Sequence, residues 1–138
     1  MATLKSSPTP ADVDAGILAP LLENRFVVQY RSKNMTSEQL HYLSKQTVNF
    51  KMDFKNKLIS FEIEQAAFGD MITDVQEFIS NPTGVTMNTV DGGYNKAVTR
   101  IQFAMLDCVS HELALDYANA GVAKHKITMQ YQSMTTKE

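Results

Sequence analysis

The chain has little of what disulfide frameworks, metal clusters and phosphate-binding loops require. Its 138 residues include one cysteine, Cys108, which excludes an intramolecular disulfide and a cysteine-rich zinc site. Gly92-Gly93 is not followed by the Lys-Ser or Lys-Thr pair of a phosphate loop. No run approaches the roughly 18 apolar residues of a membrane helix. We therefore expect a soluble, non-secreted protein with no cofactor, no metal and no membrane span.

Neither sign of charge is in large excess. Thirteen Lys and Arg against fifteen Asp and Glu give a net charge of −2, which argues against bulk attraction to DNA, because neutralising many phosphates needs surplus basic residues. The length and the 43% share of hydrophobic residues predict one domain. Three of the four prolines fall within the first twenty residues, where they disfavour regular structure. We expect an N-terminal arm over 1–22 and a single domain over 23–138.

Hydrophobic periodicity predicts strands and one helix in the first part of that domain. Asn56-Lys57 lies between two alternating stretches and favours a hairpin turn. Apolar residues at helical spacing from Phe68 to Ile79 predict an amphipathic helix, and Ser80-Asn81-Pro82 ends it. The strands predicted here cover 24–30, 48–55 and 59–64.

The second part of the domain is predicted to be entirely loop and strand. Residues 83–95, rich in Thr, Asn and Gly, are predicted as a loop, and Cys108–His111 as a short link. The strands predicted here cover 94–107, 113–117 and 125–134. The fold class is therefore mainly β (α+β), an antiparallel β-barrel or sandwich of about six strands with one flanking α-helix.

Candidates for catalysis are weak. Cys108 and His111 are three positions apart and form half a metal site at best, and as a nucleophile and base they lack a third, orienting group. Glu62 and Glu64 share a strand face, which is typical of a solvated strand as well as of paired carboxylates. We predict no catalytic residue and no enzymatic activity. A small hydrolase that uses Cys108 and His111 is kept as an alternative.

Charge is segregated along the chain. Residues 25–57 hold seven basic and two acidic residues, whereas residues 58–95 hold six acidic and no basic ones. If folding keeps the two sets apart, a basic surface on one copy can face an acidic surface on the next and favour head-to-tail association. If paired strands instead bring the basic and acidic residues together, their charges offset each other within one copy. The candidate assembly residues are Arg31, Lys33, Lys45, Lys51, Lys55, Asp70, Asp74 and Glu77.

The order of elements resembles that of the tail tube proteins of contractile-tailed bacteriophages, which are related to the tube protein of type VI secretion. The resemblance spans residues 24–134. It is carried by the opening strand 24–30, by the strand-to-helix run 59–78, and by a closing set. That set comprises residues 98–103, then 112–117 with the turn Asn119-Ala120-Gly121, then 126–131.

The resemblance implies a structural virion protein, a phage tail tube subunit assembled in the host cytoplasm. Copies would form hexameric rings, stacked into a hollow conduit for DNA ejection inside a contractile sheath, with tail sheath, baseplate and tail terminator proteins as partners. Antiparallel strands of neighbouring copies would line the lumen. The arm and the polar loop 32–46 are candidates for ring stacking. The lumen candidates are Glu62, Glu64, Gln130 and Gln132.

Two departures from the family pattern leave other functions open. Cys108–His111 lacks a proline, and the loop before Val48 lacks a Gly-Leu-Pro-like turn. A tube initiator, tube terminator or baseplate protein of the same fold is one alternative. Another is a small β-barrel nucleic-acid-binding module, which would need aromatic residues on an exposed basic strand face. Phe50 and Phe54 are instead predicted to lie on the apolar face, opposite Lys51 and Lys55.

Overall fold

A computed structural model describes residues 25–66, 71–90, 97–118 and 120–137. The predicted arm, residues 1–22, lies outside these ranges. In chain order the elements are β1 (Phe26–Ser32), α1 (Ser37–Lys45), β2 (Thr47–Asp53), β3 (Leu58–Glu64), α2 (Met71–Ser80), β4 (Pro82–Val90), β5 (Ala97–Leu113) and β6 (Lys124–Lys137).

All six described strands belong to one antiparallel sheet in the order β1-β4-β5-β6-β3-β2. The sheet curls into a half-barrel, and two helices accompany it. The mainly-β fold class and the hairpin around Asn56-Lys57 are confirmed. Lys57 completes that turn with a left-handed φ of 57°. β5 and β6, the two longest strands, form the middle of the sheet.

Contacts between distant strands show how strongly the sheet curls. β1 and β2 are the two ends of the strand order, and in a flat sheet they would lie about 24 Å apart. The hydroxyls of Tyr30 in β1 and Thr47 in β2 are nevertheless 2.7 Å apart. Phe50 in β2 also meets Phe103 in β5, with ring centroids separated by 6.2 Å. The concave side of the sheet therefore encloses the hydrophobic core.

Aromatic rings dominate this core. Tyr30 contacts Phe61 and Phe78 at centroid distances of 5.3 and 5.0 Å, and Phe103 contacts Tyr131 at 4.8 Å. Since Phe78 belongs to α2, that helix packs its apolar stripe on the core. The other fully buried hydrophobic side chains of the described residues are Val28, Leu43, Ile59, Ile63, Met71, Val75, Val85, Ile127 and Met129.

The predicted helix is confirmed as α2, but a second helix was not predicted. The segment around Leu40 and Leu43 was expected to be polar loop leading into a strand, and it forms α1 instead. Thr36 caps this helix: its hydroxyl accepts from the Gln39 amide, and the Gln39 side chain accepts from the Thr36 amide. Only Leu43 of α1 is fully buried, so the hydrophobic periodicity that usually reveals a helix is faint here.

The prediction of a loop over 83–95 was wrong for all of its described part, because Pro82–Val90 is strand β4. This strand lies between β1 and β5, and from residue 84 to residue 90 its polar side chains are buried along with its apolar ones. Asn88 shows how that is achieved: its amide donates to the Val27 carbonyl and accepts from Arg100 Nε at 3.0 Å. Hydrogen bonds to both neighbours offset the burial of polar groups. Residues 91–96 lie outside the described residues.

The predicted break at Cys108–His111 was also wrong, because β5 runs unbroken from Ala97 to Leu113. Two irregularities disturb its alternation. Met105 has a left-handed φ of 55°, and the register with β6 shifts between Cys108 and Ser110. The predicted strand 113–117 does not form beyond Leu113, and β4 takes its place among the six strands.

The Tyr30 hydroxyl gives a test of how the sheet closes. The Thr47 hydroxyl already donates to the Leu43 carbonyl, so Tyr30 donates to Thr47, and burial raises the pKa of Tyr30 well above its usual range. We expect Tyr30→Phe to lower the free energy of unfolding by about 1 kcal/mol. Urea denaturation measures it, with Tyr42→Phe on the exposed side of α1 as the control. Equal stabilities for both variants would contradict this account.

Candidate functional site

The two central strands each leave a stretch of backbone without a partner strand among the described residues. β4 pairs with β5 only as far as Ala104, so β5 from Met105 to Leu113 is paired on one side alone, with β6. β3 pairs with β6 only between Lys124 and Gln130, so the last residues of β6 are paired only with β5. Each central strand thus has one open edge, which we call the β5 edge (105–113) and the β6 edge (132–137).

These open edges lie on opposite sides of the β5–β6 pair. An open edge presents backbone N–H and C=O groups that can add a strand from another chain. Because the two edges are different segments, pairing between copies is head-to-tail, and such contacts generate closed rings or helical filaments. Met105 and Val109, both well exposed, mark the β5 edge.

The outer edge of β1 is partly closed from within the chain. The Ser44 hydroxyl of α1 donates to the Val28 carbonyl of β1, and the Ser32 hydroxyl donates to the Asn81 carbonyl. A helix laid along an edge strand protects it from pairing with another chain.

The four predicted lumen residues share one face of the sheet, opposite the core. Glu62 and Glu64 are half-buried on β3, and Gln130 and Gln132 are exposed on β6. Each glutamate has a lysine beside it, since Lys126 lies opposite Glu62 and Lys124 opposite Glu64 in the strand register. This face carries both signs of charge, which leaves it without a strong attraction for phosphates. The assignment to a lumen stays a prediction.

The structure does not gather the predicted basic assembly residues into one patch. Arg31, the penultimate residue of β1, has its guanidinium over Gly84, where an added Cβ would come within 2.6 Å of the Arg31 Nη2. The other four, all exposed, lie in the turn after β1, on α1, on β2 and in the β2–β3 turn: Lys33, Lys45, Lys51 and Lys55.

The acidic candidates make contacts within the chain. On α2, Asp74 accepts from Gln39 of α1 at 3.0 Å, and Glu77 accepts from Asn81 at 3.4 Å. Asp70 lies outside the described residues. Because α2 contacts α1, and β2 pairs with β3, the basic and acidic segments of the chain are interleaved in space.

Aromatic side chains do not form an exposed stacking surface on β2. Phe50 packs in the core as predicted, with its ring stacked on Phe61 at a centroid distance of 6.0 Å. The prediction for Phe54 was wrong, because β2 ends at Asp53 and Phe54 is 53% exposed in the turn. One isolated ring offers no platform for successive bases.

Cys108 and His111 do not face each other as a nucleophile and base. The Cys108 thiol donates to the Ser110 carbonyl at 3.6 Å, and burial raises its thiol pKa, which disfavours the reactive thiolate. His111 instead bonds His125, Nε2 to Nδ1, at 2.9 Å. Among the described residues no group of three or more His, Cys, Asp or Glu side chains could hold a metal ion. No described helix is long and apolar enough to cross a membrane.

The histidine pair was missed by the sequence analysis. His125 is fully buried, stacks on His111, and contacts Gln65 Oε1 through Nε2 at 2.5 Å. Gln65 uses its own Nε2 to donate to the Ala66 carbonyl, so its oxygen faces His125 and His125 donates to it. His125 Nδ1 is then the acceptor for His111. His125 must be neutral for this chain of bonds to hold, because its Nδ1 can accept a hydrogen bond only when that nitrogen carries no proton.

Comparisons with known proteins identify the fold through structure and not through sequence. No protein-family model matches the chain, and no curated protein matches its sequence. Solved structures do match. A chain of the anti-feeding prophage baseplate, 6-fold symmetrised, aligns with a TM-score of 0.59 at 11% identity, covering 87% of this chain and 97% of that one. The protein has the tail-tube fold.

Two further structures carry the same tail-tube fold. One is a chain of the sheath-tube complex of an extracellular contractile injection system, PVC, in the extended state, with a TM-score of 0.57 at 8% identity, covering 95% of this chain and 99% of that one. The other is an Hcp protein, with a TM-score of 0.55 at 6% identity, covering 82% and 97%. At such identities the likeness extends to the fold alone, so the function must be argued from this chain's own surfaces.

The histidine pair predicts a pH dependence of the stability of this tail-tube fold. Burial lowers the pKa of both His111 and His125, and the neighbouring His111 lowers that of His125 further. The unfolded chain therefore binds more protons below about pH 6.5, and stability falls as pH drops from there. Unfolding free energies measured from pH 8 to pH 5 should show this slope. It should be reduced in His125→Gln and retained in His41→Gln, and an equal slope in both variants would contradict the assignment.

Proposed function

We propose that this protein is a structural virion protein, the tail tube subunit of a phage-like contractile tail. Its copies join head to tail into hexameric rings, and the rings stack into a hollow conduit for DNA ejection. The observation that carries the proposal is the presence of two different open edges, β5 (105–113) and β6 (132–137), on opposite sides of one strand pair within a tail-tube fold.

Ring formation follows from the difference between the two edges. Since the β5 edge of one copy meets the β6 edge of the next, every copy both offers and accepts a strand, and the contact repeats until it closes. The six-fold symmetry of the anti-feeding prophage baseplate supports six copies as the number that closes the ring.

A conduit needs a lumen surface to which DNA does not bind. The face of Glu62, Glu64, Gln130 and Gln132 supports this role, because Lys126 lies opposite Glu62 and Lys124 lies opposite Glu64, so acidic and basic groups offset each other there. The function needs no catalytic residue. Tail sheath, baseplate and tail terminator proteins are the partners we propose, with assembly in the host cytoplasm.

A role at one end of the tube is the second candidate. Chains from the anti-feeding prophage tube-terminating cap and from the PVC sheath/tube terminator align with TM-scores of 0.57 and 0.56. A protein of this kind shares the fold and differs in needing a preformed tube end as a template. It would form single rings without stacking.

Assembly of the purified protein tests the proposal directly. We expect rings or tubes in negative-stain images and a mass of six copies or multiples of six by light scattering. Met105→Lys with Val109→Lys places charges along the β5 edge and should leave the protein monomeric, since charged side chains disfavour strand addition. Ile72→Lys, at an exposed position on α2, is the control and should assemble normally. Assembly by the β5-edge variant would contradict the edge pairing, and a monomer under all conditions would contradict the tube.

Charge reversal tests the contribution of the basic segment. Lys51→Glu with Lys55→Glu should weaken assembly at low salt if basic and acidic surfaces of neighbouring copies attract each other, and the effect should fade at high salt because ions screen such contacts. Sedimentation of assembled material across a salt series measures it. Unchanged assembly at low salt would remove this contribution without affecting the edge pairing.

A further inference from the structure

An open groove lies at the far end of the β5–β6 pair, where the two strands are connected. It has a volume of about 740 Å³ and is lined by residues 114–117 and 121–123 of the connection, by the start of β6 and by Glu62 of β3. Three apolar side chains of its wall are exposed to solvent: Leu115 by 80%, Val122 by 58%, and Tyr117 fully. Three exposed large apolar residues in one short connection around a groove mark an interaction surface.

The charged groups of the groove nearly cancel. Lys124 and Lys126 line it together with Glu62 and Asp116. Since Lys126 lies opposite Glu62 in the register, these charges are arranged within the protein's own sheet. The groove is therefore selective chiefly through its apolar wall, and its occupant must supply apolar side chains.

One segment of this chain supplies them. Residues 15–22 read Ala-Gly-Ile-Leu-Ala-Pro-Leu-Leu, with Asp12 and Asp14 before them. Pro20 lacks a backbone N–H and disfavours a helix interior, so the segment suits an extended docking mode. We propose, on the basis of the tube function proposed above, that residues 15–22 of one copy occupy the groove of a neighbouring copy.

The reach of the chain requires that the groove belong to another copy. The Arg25 carbonyl accepts from Val90, and Val90 pairs with Ala97, so the arm joins the sheet beside the beginning of β5. The groove follows Leu113, the last residue of β5. Sixteen residues of strand span roughly 50 Å, whereas Leu18, seven residues before Arg25, reaches at most about 25 Å from it.

This contact differs in direction from the pairing of strand edges. Edge pairing joins copies side by side across β5, whereas the docking of residues 15–22 joins copies end to end along β5. Each copy then donates one segment at one end and receives one at the other. The two contacts together describe a lattice that grows both around a ring and from ring to ring.

Disulfide trapping with the full-length chain tests the docking. In a Cys108→Ala background, Leu18→Cys and Leu115→Cys are placed on separately tagged copies, which are mixed, assembled and oxidised. We expect a disulfide between residues 18 and 115 that joins the two tags, identified by mass spectrometry, at least tenfold more abundant than with Ile72→Cys in place of Leu115→Cys. Val122→Cys gives a second groove position, should Leu115→Cys disturb folding.

The remaining outcomes separate this inference from the tube itself. If tubes form and the 18–115 and 18–122 links are no more abundant than the Ile72→Cys control, the docking is wrong and the tube stands. Deletion of residues 1–22 should shorten the tubes or yield separate rings, and full-length tubes from the truncated chain would likewise overturn the docking alone. If the intact chain forms neither rings nor tubes, the proposed function fails first.

Discussion

The curl of the sheet is the constraint on which the rest of the structure depends. One hydrogen bond between Tyr30 and Thr47 joins strands at the two ends of the sheet order, and the aromatic cluster fills the space enclosed between them. With the core on the concave side, the opposite face is left to polar residues. Curling also brings α1 and α2 into contact through Gln39 and Asp74. A flat sheet of the same order would bury neither helix face.

The curled sheet is not closed, because β5 and β6 are longer than the strands that flank them. β5 has 17 residues and β6 has 14, whereas their outer neighbours have nine and seven. The longer strands therefore extend beyond their partners in opposite directions. The unpaired backbone is a consequence of strand length and register, so it exists in every copy and in the same orientation. Such regularity is what the proposed edge pairing between copies requires.

Elements that follow one rule along the sequence were predictable, and elements that depend on register were not. The β2–β3 hairpin and α2 have clear periods and clear stop residues. β4 was missed because it is buried on both faces, with Asn88 and Thr89 supplying hydrogen bonds in place of apolar packing. For α1 the Thr36 and Gln39 capping box was a readable signal, although its hydrophobic face is narrow. The open edges and the pairing of His111 with His125 depend on which strands are neighbours in the sheet. No single stretch of sequence shows that.

Met105 carries a consequence for the shape of any assembly. Its φ of 55° costs a non-glycine residue roughly 1 kcal/mol, and it stands where β5 leaves β4. Phe103 and Leu106, three positions apart, are both buried on either side of it, so the strand rotates there about its own axis. The protruding part of β5 is thus turned away from the plane of its own sheet. A subunit added to it would arrive at an angle, and a constant angle per subunit bends a row of copies into a circle instead of a flat ribbon.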